Sequence, residues 1–338
     1  MSGRARVWTL AAIVLVALLG TVGYIYSVRR EQTQAVAAAP PMPTRPDLAA
    51  VTSVPHVVFR STAAGGDYGR VAVVPLSEPA GPRAFTPIAC DRVYARRSEA
   101  VCLHAKPGMV TTYRAQVLGP DWSVTRELPL SGVPSRTRLS RDGSLVATTT
   151  FVAGHSYTTP GRFSTETLVT RLADGHSTNV EPFQLIVGGE RVTSADRNLW
   201  GVTFADGDSF YATAASGGRT WLVRGSLGGQ RLVALRDDAE CPSLSPDGTR
   251  IAFKTRAGQA PGHWRIAVYD IATGKATILA EQRSVDDQIE WLDDSRVIYG
   301  LPRGGEGPST SDLWTARADG GGDAELFIRD AWSPAVVR

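Results

Sequence analysis

Cysteine, histidine, methionine and lysine are scarce in this chain: its 338 residues hold three Cys, five His, three Met and three Lys. Three cysteines do not build a paired-cysteine zinc site, and the histidines at 56, 104, 155, 176 and 263 show no H-x-x-x-H spacing. No G-x-S-x-G element occurs, which leaves a fused serine hydrolase unsupported. The "SGG", "LGG" and "GGG" runs open no helix and are not phosphate loops. "DGDS" at 206–209 and "DD" at 293–294 have the composition of calcium loops without their ligand spacing. No catalytic residue, cofactor or metal is therefore assigned.

An excess of one charge is also missing from most of the chain. The formal net charge of +3 arises before residue 56, where five arginines face Glu31 and Asp47; beyond it stand 31 basic and 31 acidic residues. A formally neutral domain lacks the basic stripe of a nucleic-acid binder, so no nucleic-acid partner is expected. Arginine outnumbers lysine 33 to 3, which reads as codon bias and not as a phosphate-binding signal.

What is present begins with one apolar run, Val7 to Val28, which as a helix spans about 33 Å. Arginines 4 and 6 precede it, Arg29 and Arg30 follow it, and Trp8, Tyr24 and Tyr26 lie near its ends. The run predicts a transmembrane signal anchor over residues 7–28, with residues 1–6 cytoplasmic and the bulk outside. Secretion after signal cleavage is the alternative, with Ala37 to Ala39 the nearest small-residue stretch. Residues 29–54, rich in Ala and Pro, read as a tether, and residues 55–338 as the folded domain.

Within that domain one element recurs. In "SLSPDGTRIAF" an apolar Leu244 precedes a Ser-Pro-Asp-Gly turn, and an alternating strand from Thr249 to Phe253 leaves it. Copies follow at "RLSRDGSLVATT", "VTFADGDSFYAT" and "EWLDDSRVIYG", with a weaker one at "VYARRSEAVCL" and a truncated one at "AWSPAVV". Equivalent positions fall at 97, 142, 206, 247, 294 and 335, with gaps of 45, 64, 41, 47 and 41 residues. Most of these match a four-stranded propeller blade of about 40–50 residues. Second tight turns stand where the outer strands need them, at 118–121, 172–175, 226–229, 271–274 and 317–320. The last copy ends after an inner strand, while "PHVVFRST", "YGRVAVVPL" and "RAFTP" are three strands without one. The expectation is an all-β, six-bladed propeller with its closing blade split between the termini; a linear β-solenoid is the alternative.

"LSPDGTRIAF" followed by "WRIAVYDIATGKATIL" resembles the TolB-like β-propeller repeat. "ACDRVYARRSEAVCL" (89–103), "DRNLWGVTFADGDSFYATAASGGRTWLVRG" (196–225) and the N-terminal run resemble the actinobacterial membrane-anchored TolB-like proteins. The resemblance implies six blades and an envelope protein that binds partners through its propeller, although no amino-terminal TolB domain is recognised before the blades.

Cys90 and Cys102 flank a candidate hairpin turn, and an extracytoplasmic location favours a disulfide between them; two buried free thiols are the alternative. Cys241 is left over, at a strand entry. Long irregular stretches at 62–69, 104–111, 153–164, 187–197, 256–263, 281–288 and 303–311 all fall on the face opposite the tight turns, which makes that face the expected binding side. Candidate partner contacts there are His104, His155, Tyr157, Arg191, Asp196, His263, Arg283 and Asp287, with Lys106, Asp286 and Arg303 beside them. The functional expectation is a non-catalytic, membrane-anchored scaffold for an envelope protein or peptide. The alternatives are a metal-dependent lactonase or lyase, with His104, His155 and His263 over the channel mouth, and a cell-wall or carbohydrate-binding module.

Overall fold

The computed structural model describes residues 3–38, 42–152, 164–304 and 310–338. The chain opens with α1 (Gly3–Ala38), and the short α2 (Leu48–Thr52) follows, its first turn capped by Asp47, whose carboxylate accepts from the Ala50 amide. Val51 of α2 is buried against the first blade. In α1 the Thr21 and Ser27 hydroxyls donate back to the carbonyls of Ala17 and Tyr24. Among the described residues no helix is long and apolar enough to cross a membrane, so the expected spanning helix over residues 7–28 is not supported.

The rest is a six-bladed β-propeller. Blade 1 holds β1 (His56–Ser61), β2 (Arg70–Pro75) and β3 (Ala84–Ala89), and blade 2 holds β4 (Arg92–Ala95), β5 (Ala100–Lys106), β6 (Thr112–Leu118) and β7 (Val124–Leu130). Blade 3 follows with β8 (Val133–Leu139), β9 (Leu145–Val152), β10 (Ser164–Arg171) and β11 (Ser177–Asn179). A hairpin of β12 (Gln184–Val187) and β13 (Glu190–Val192) precedes blade 4, made of β14 (Asn198–Phe204), β15 (Ser209–Ser216), β16 (Arg219–Ser226) and β17 (Arg231–Asp237). Blade 5 comprises β18 (Glu240–Leu244), β19 (Arg250–Thr255), β20 (Arg265–Asp270) and β21 (Ala276–Ile278). Blade 6 comprises β22 (Glu290–Asp293), β23 (Arg296–Pro302), β24 (Ser311–Arg317) and β25 (Glu325–Ile328). The last strand, β26 (Ala331–Val337), returns to blade 1 as its inner strand, giving the order β26-β1-β2-β3.

The split blade is held by the antiparallel pairs Val57–Val336 and Val58–Ala335, whose side chains are all buried. Polar bonds lock it to blade 6. The Thr62 hydroxyl donates to the Ser311 carbonyl, the Arg83 guanidinium reaches the carbonyls of Arg329 and Asp330, and the same guanidinium lies 5.1 Å from the Phe59 ring centre. Apolar seams fill the spaces between neighbouring blades, for example Phe204, Phe210, Val223 and Leu185 against Leu145 and Val169.

The turns read from sequence follow from local chemistry. Gly248 takes a φ of 74°, and Asp247 accepts from the Ser245 hydroxyl and the Thr249 amide at 2.5 and 3.0 Å. Asp142 repeats this with Ser140 and Ser144. A second recurring device closes the opposite ends, where an aspartate entering a blade caps that blade's second strand. Asp91 accepts from the Ala105 amide, Asp238 from Arg256 and Asp287 from Gly300.

The 64-residue gap has a structural cause. The stretch 187–197, expected to be irregular, contains the end of β12 and all of β13, joined by Gly188 and Gly189 at φ 58° and 87°, both values that a two-residue hairpin turn demands. Strand β12 runs parallel to β17, extending blade 4 to six strands. Just before this hairpin, Glu181 accepts from the Thr165 hydroxyl, and Thr165 also bonds Asn198 and Leu199, stitching blade 3 to blade 4.

Two outcomes follow. Removing residues 331–338 takes away the only inner partner of β1, so the cooperative thermal transition is expected to collapse and the β1–β3 amides to lose exchange protection; an unchanged melting temperature would refute the closure. Desolvation raises the Glu181 carboxyl from 4.5 to about 8. Its protonated form is thus the one favoured by folding, and that stability is complete below about pH 4.5 and lost as the pH rises through 8. Glu181→Gln should therefore gain melting temperature relative to the wild type between pH 5 and pH 9, as read by calorimetry at matched ionic strength.

Candidate functional site: the axial cavity

Six inner strands converge on the axis, and the charged side chains that they and the segments entering them carry are mostly paired. Residues two apart on a strand share a face, which places Arg92 and Tyr94 of β4 together. The Arg92 guanidinium bonds the fully buried Asp287 carboxylate at 3.0 Å, the other oxygen of which accepts from the Gly300 amide. Desolvation, with help from the like charge of Arg136, pulls Arg92 down to about 10. One layer nearer the tight turns, Arg138 of β8 bonds Glu290 of β22 at 2.5 Å, and its other arm donates to the Ile289 carbonyl. The Gln288 amide, oriented to satisfy both its ends, accepts from Arg138 as well. Burial raises the pKa of the adjacent Tyr94 hydroxyl, and the negative charge of Glu290 adds to that. Toward the long-loop face, Lys254 pairs with Asp286 at 2.5 Å and Arg256 with Glu240 at 3.1 Å.

Beyond the Arg138–Glu290 pair the axis widens into a cavity of about 270 Å³. Its wall takes residues from the ends of all six inner strands or just beyond: Arg96, Arg138 and Leu139, Arg141, Thr203 and Phe204, Leu244 and Pro246, Glu290 and Trp291, and Arg338. Four arginines and one carboxylate line it, and that carboxylate is already bonded to Arg138. A further space of about 10 Å³ lies between Arg92, Tyr94, Thr137, Arg138 and Ser333, and the mouth is basic. It opens on the face of the tight turns, where the inner strands end.

The sequence-derived candidates that lie among the described residues stand in different settings. Asp287 is buried in the axial pair with Arg92. Asp196 is exposed and builds a turn, its carboxyl held at about 2 by the Ser194 and Ser216 hydroxyls and the Gly217 amide. Arg283 pairs with Glu281 and stacks at 3.8 Å on Trp314. Arg191 is exposed on the outer hairpin. His104 lies on β5 and His263 before β20, in different blades, each with one ring nitrogen lacking a partner among the described residues. His155 and Tyr157 lie outside the described residues. Among the described residues no group of three or more His, Cys, Asp or Glu stands where it could hold a metal ion. Cys90 and Cys102 are joined in a disulfide with Cα atoms 5.4 Å apart, and Cys241 is buried and unbonded.

The cavity arginines were legible only in part. "YARR" at 94–97 and "RTRLSR" at 136–141 place arginines beside the tight turns of two copies where the clearest copy has Ser and Pro. Superposing the copies residue by residue would have singled them out.

The buried Arg138–Glu290 pair makes a direct test. Glu290→Gln leaves the guanidinium without its counter-charge and is expected to cost about 3–5 kcal/mol, whereas the joint change Arg138→Met with Glu290→Leu should come out near neutral. Urea denaturation of the two single variants and the double variant measures both.

No protein-family model matches this chain, and no curated protein does. Among solved structures it is similar to TolB from Acinetobacter baumannii, with 18% identity over 85% of this chain and 68% of that one, at a TM-score of 0.59. A structure of the nidogen/laminin complex matches with 9% identity over 83% of this chain and 98% of that one, at 0.52. TolB from Agrobacterium tumefaciens aligns with 12% identity over 82% of this chain and 90% of that one, at 0.48. At such identities the likeness is one of fold alone, a β-propeller.

Proposed function

We propose that the chain is a non-catalytic binding propeller that holds a protein or peptide partner at the mouth of its axial cavity, outside the cytoplasm. The observation that carries this reading is the cavity of about 270 Å³ ringed by all six blades, rigid because each wall residue sits on or beside a paired inner strand. Rigid concave sites with a few convergent polar groups are where partners dock. The Cys90–Cys102 disulfide supports a place outside the cytoplasm, since such bonds persist where thiols are not kept reduced. The TolB-like fold adds a precedent of architecture.

This moves the binding side from the long loops to the tight turns. A photocrosslinking residue at Pro246, on the mouth, should yield one discrete partner adduct in the native cell. The same residue at Met109, fully exposed on the β5–β6 loop of the opposite face, should yield none. An adduct through Met109 alone, or none through Pro246, would overturn the reading.

A further inference from the structure

The mouth also carries a charge pattern. Arg96 is stacked 5.3 Å from the Tyr94 ring centre and its Nε has no hydrogen-bond partner among the described residues. Arg141 spends one donor on the Ser245 carbonyl, a neutral group, at 2.7 Å. Neither has a carboxylate within ion-pairing distance among the described residues, and the one acid in the wall, Glu290, is taken by Arg138. The Arg96 and Arg141 guanidiniums therefore stand without an ion-pair partner among the described residues.

The rim around the mouth carries an aspartate in each of four blades, one of them, Asp247, paired with Arg250 at 3.1 Å. Asp142, Asp206, Asp247 and Asp294 are exposed in the tight turns of blades 3, 4, 5 and 6. Their carboxylates accept from groups of these turns: Asp142 from Ser140 and Ser144, Asp206 from Asp208 and Ser209, Asp247 from Ser245 and Thr249, and Asp294 from the Asp247 amide. None of the four is turned to an arginine of the mouth by any bond among the described residues. A polyanion laid flat across this face would meet four carboxylates before it reached the arginines. An acidic tip entering along the axis would meet only guanidinium forks, which match carboxylate geometry. The volume equals about nine waters at about 30 Å³ each, room for the end of a loop and not for a folded element.

We infer that the partner segment received by the mouth is acidic, presenting aspartate or glutamate side chains to Arg96 and Arg141. This rests on the reading of the mouth as the docking site. The shared chemistry is a carboxylate, and it is separable from a free small anion by experiment.

The test uses the full chain and an N-acetylated, C-amidated pentapeptide with three aspartates between glycines, titrated by calorimetry beside its asparagine counterpart and inorganic phosphate. The aspartate probe should bind at low salt and lose most of its affinity near 1 M salt, where the screening length is about 3 Å. The asparagine probe should bind at least about tenfold more weakly, because a hydrogen bond to a charged group contributes roughly 1.5–3 kcal/mol. Arg96→Gln and Arg141→Gln should each weaken the aspartate probe about tenfold with an unchanged melting temperature. Arg231→Gln, exposed on β17 away from the mouth, should leave it as it was. Equal binding of the two peptides, or phosphate binding as tightly as the aspartate probe, would overturn the inference. A Pro246 crosslink that survives in the Arg96→Gln, Arg141→Gln double variant would overturn the acidic assignment while the docking reading stands. Loss of that crosslink in the double variant supports both.

Discussion

The pairing of β1 with β26 is the constraint on which the rest depends. It joins the two ends of the chain in one sheet, and the seams between blades are held in part by that closure. Pairing residues 56–61 with residues 331–337 joins parts of the chain some 280 positions apart in sequence, so closure is an entropically costly contact. That explains the reinforcement around it. Arg83 and Thr62 bind blade 1 to blade 6 through main-chain carbonyls, so the closing contact is held by hydrogen bonds in addition to its apolar pairs.

Closure gathers six inner strands around an axis, and most of the polar groups there are arranged as buried ion pairs. Such pairs add little net stability against an apolar filling, yet each fixes the position of two strands from different blades. Arg92 with Asp287 ties blade 2 to the entry of blade 6, and Arg138 with Glu290 ties blade 3 to blade 6. The second pair also lines the cavity, so a contact that fixes the axis shapes the mouth as well.

The turns, the blade count and the split closing blade were legible because Pro, Asp and Gly act locally and the repeat shows in spacing alone. The outer hairpin was not, although "VGGERV" carries its turn chemistry, since a 64-residue gap invited the reading of a loop. The apolar stretch in α1 showed its helical form in sequence, while among the described residues no helix is long and apolar enough to cross a bilayer. The mouth was hidden for a different reason. Bulges interrupt the inner-strand pairings of blades 3, 4, 5, 6 and 1, and each one reverses which side chains reach the axis. Alternation cannot be counted through such a break, so 33 arginines looked like composition when a few of them were placement.

The uneven distribution of charge around the mouth has a geometric consequence. A ring of similar blades offers six nearly equivalent azimuths, and a guest on its axis would have no reason to prefer one. Aspartates on four consecutive blades, with Arg96 and Arg97 on blade 2 and Arg338 on blade 1, remove that degeneracy. The propeller thereby acquires a compass direction: its six azimuths are not electrostatically alike.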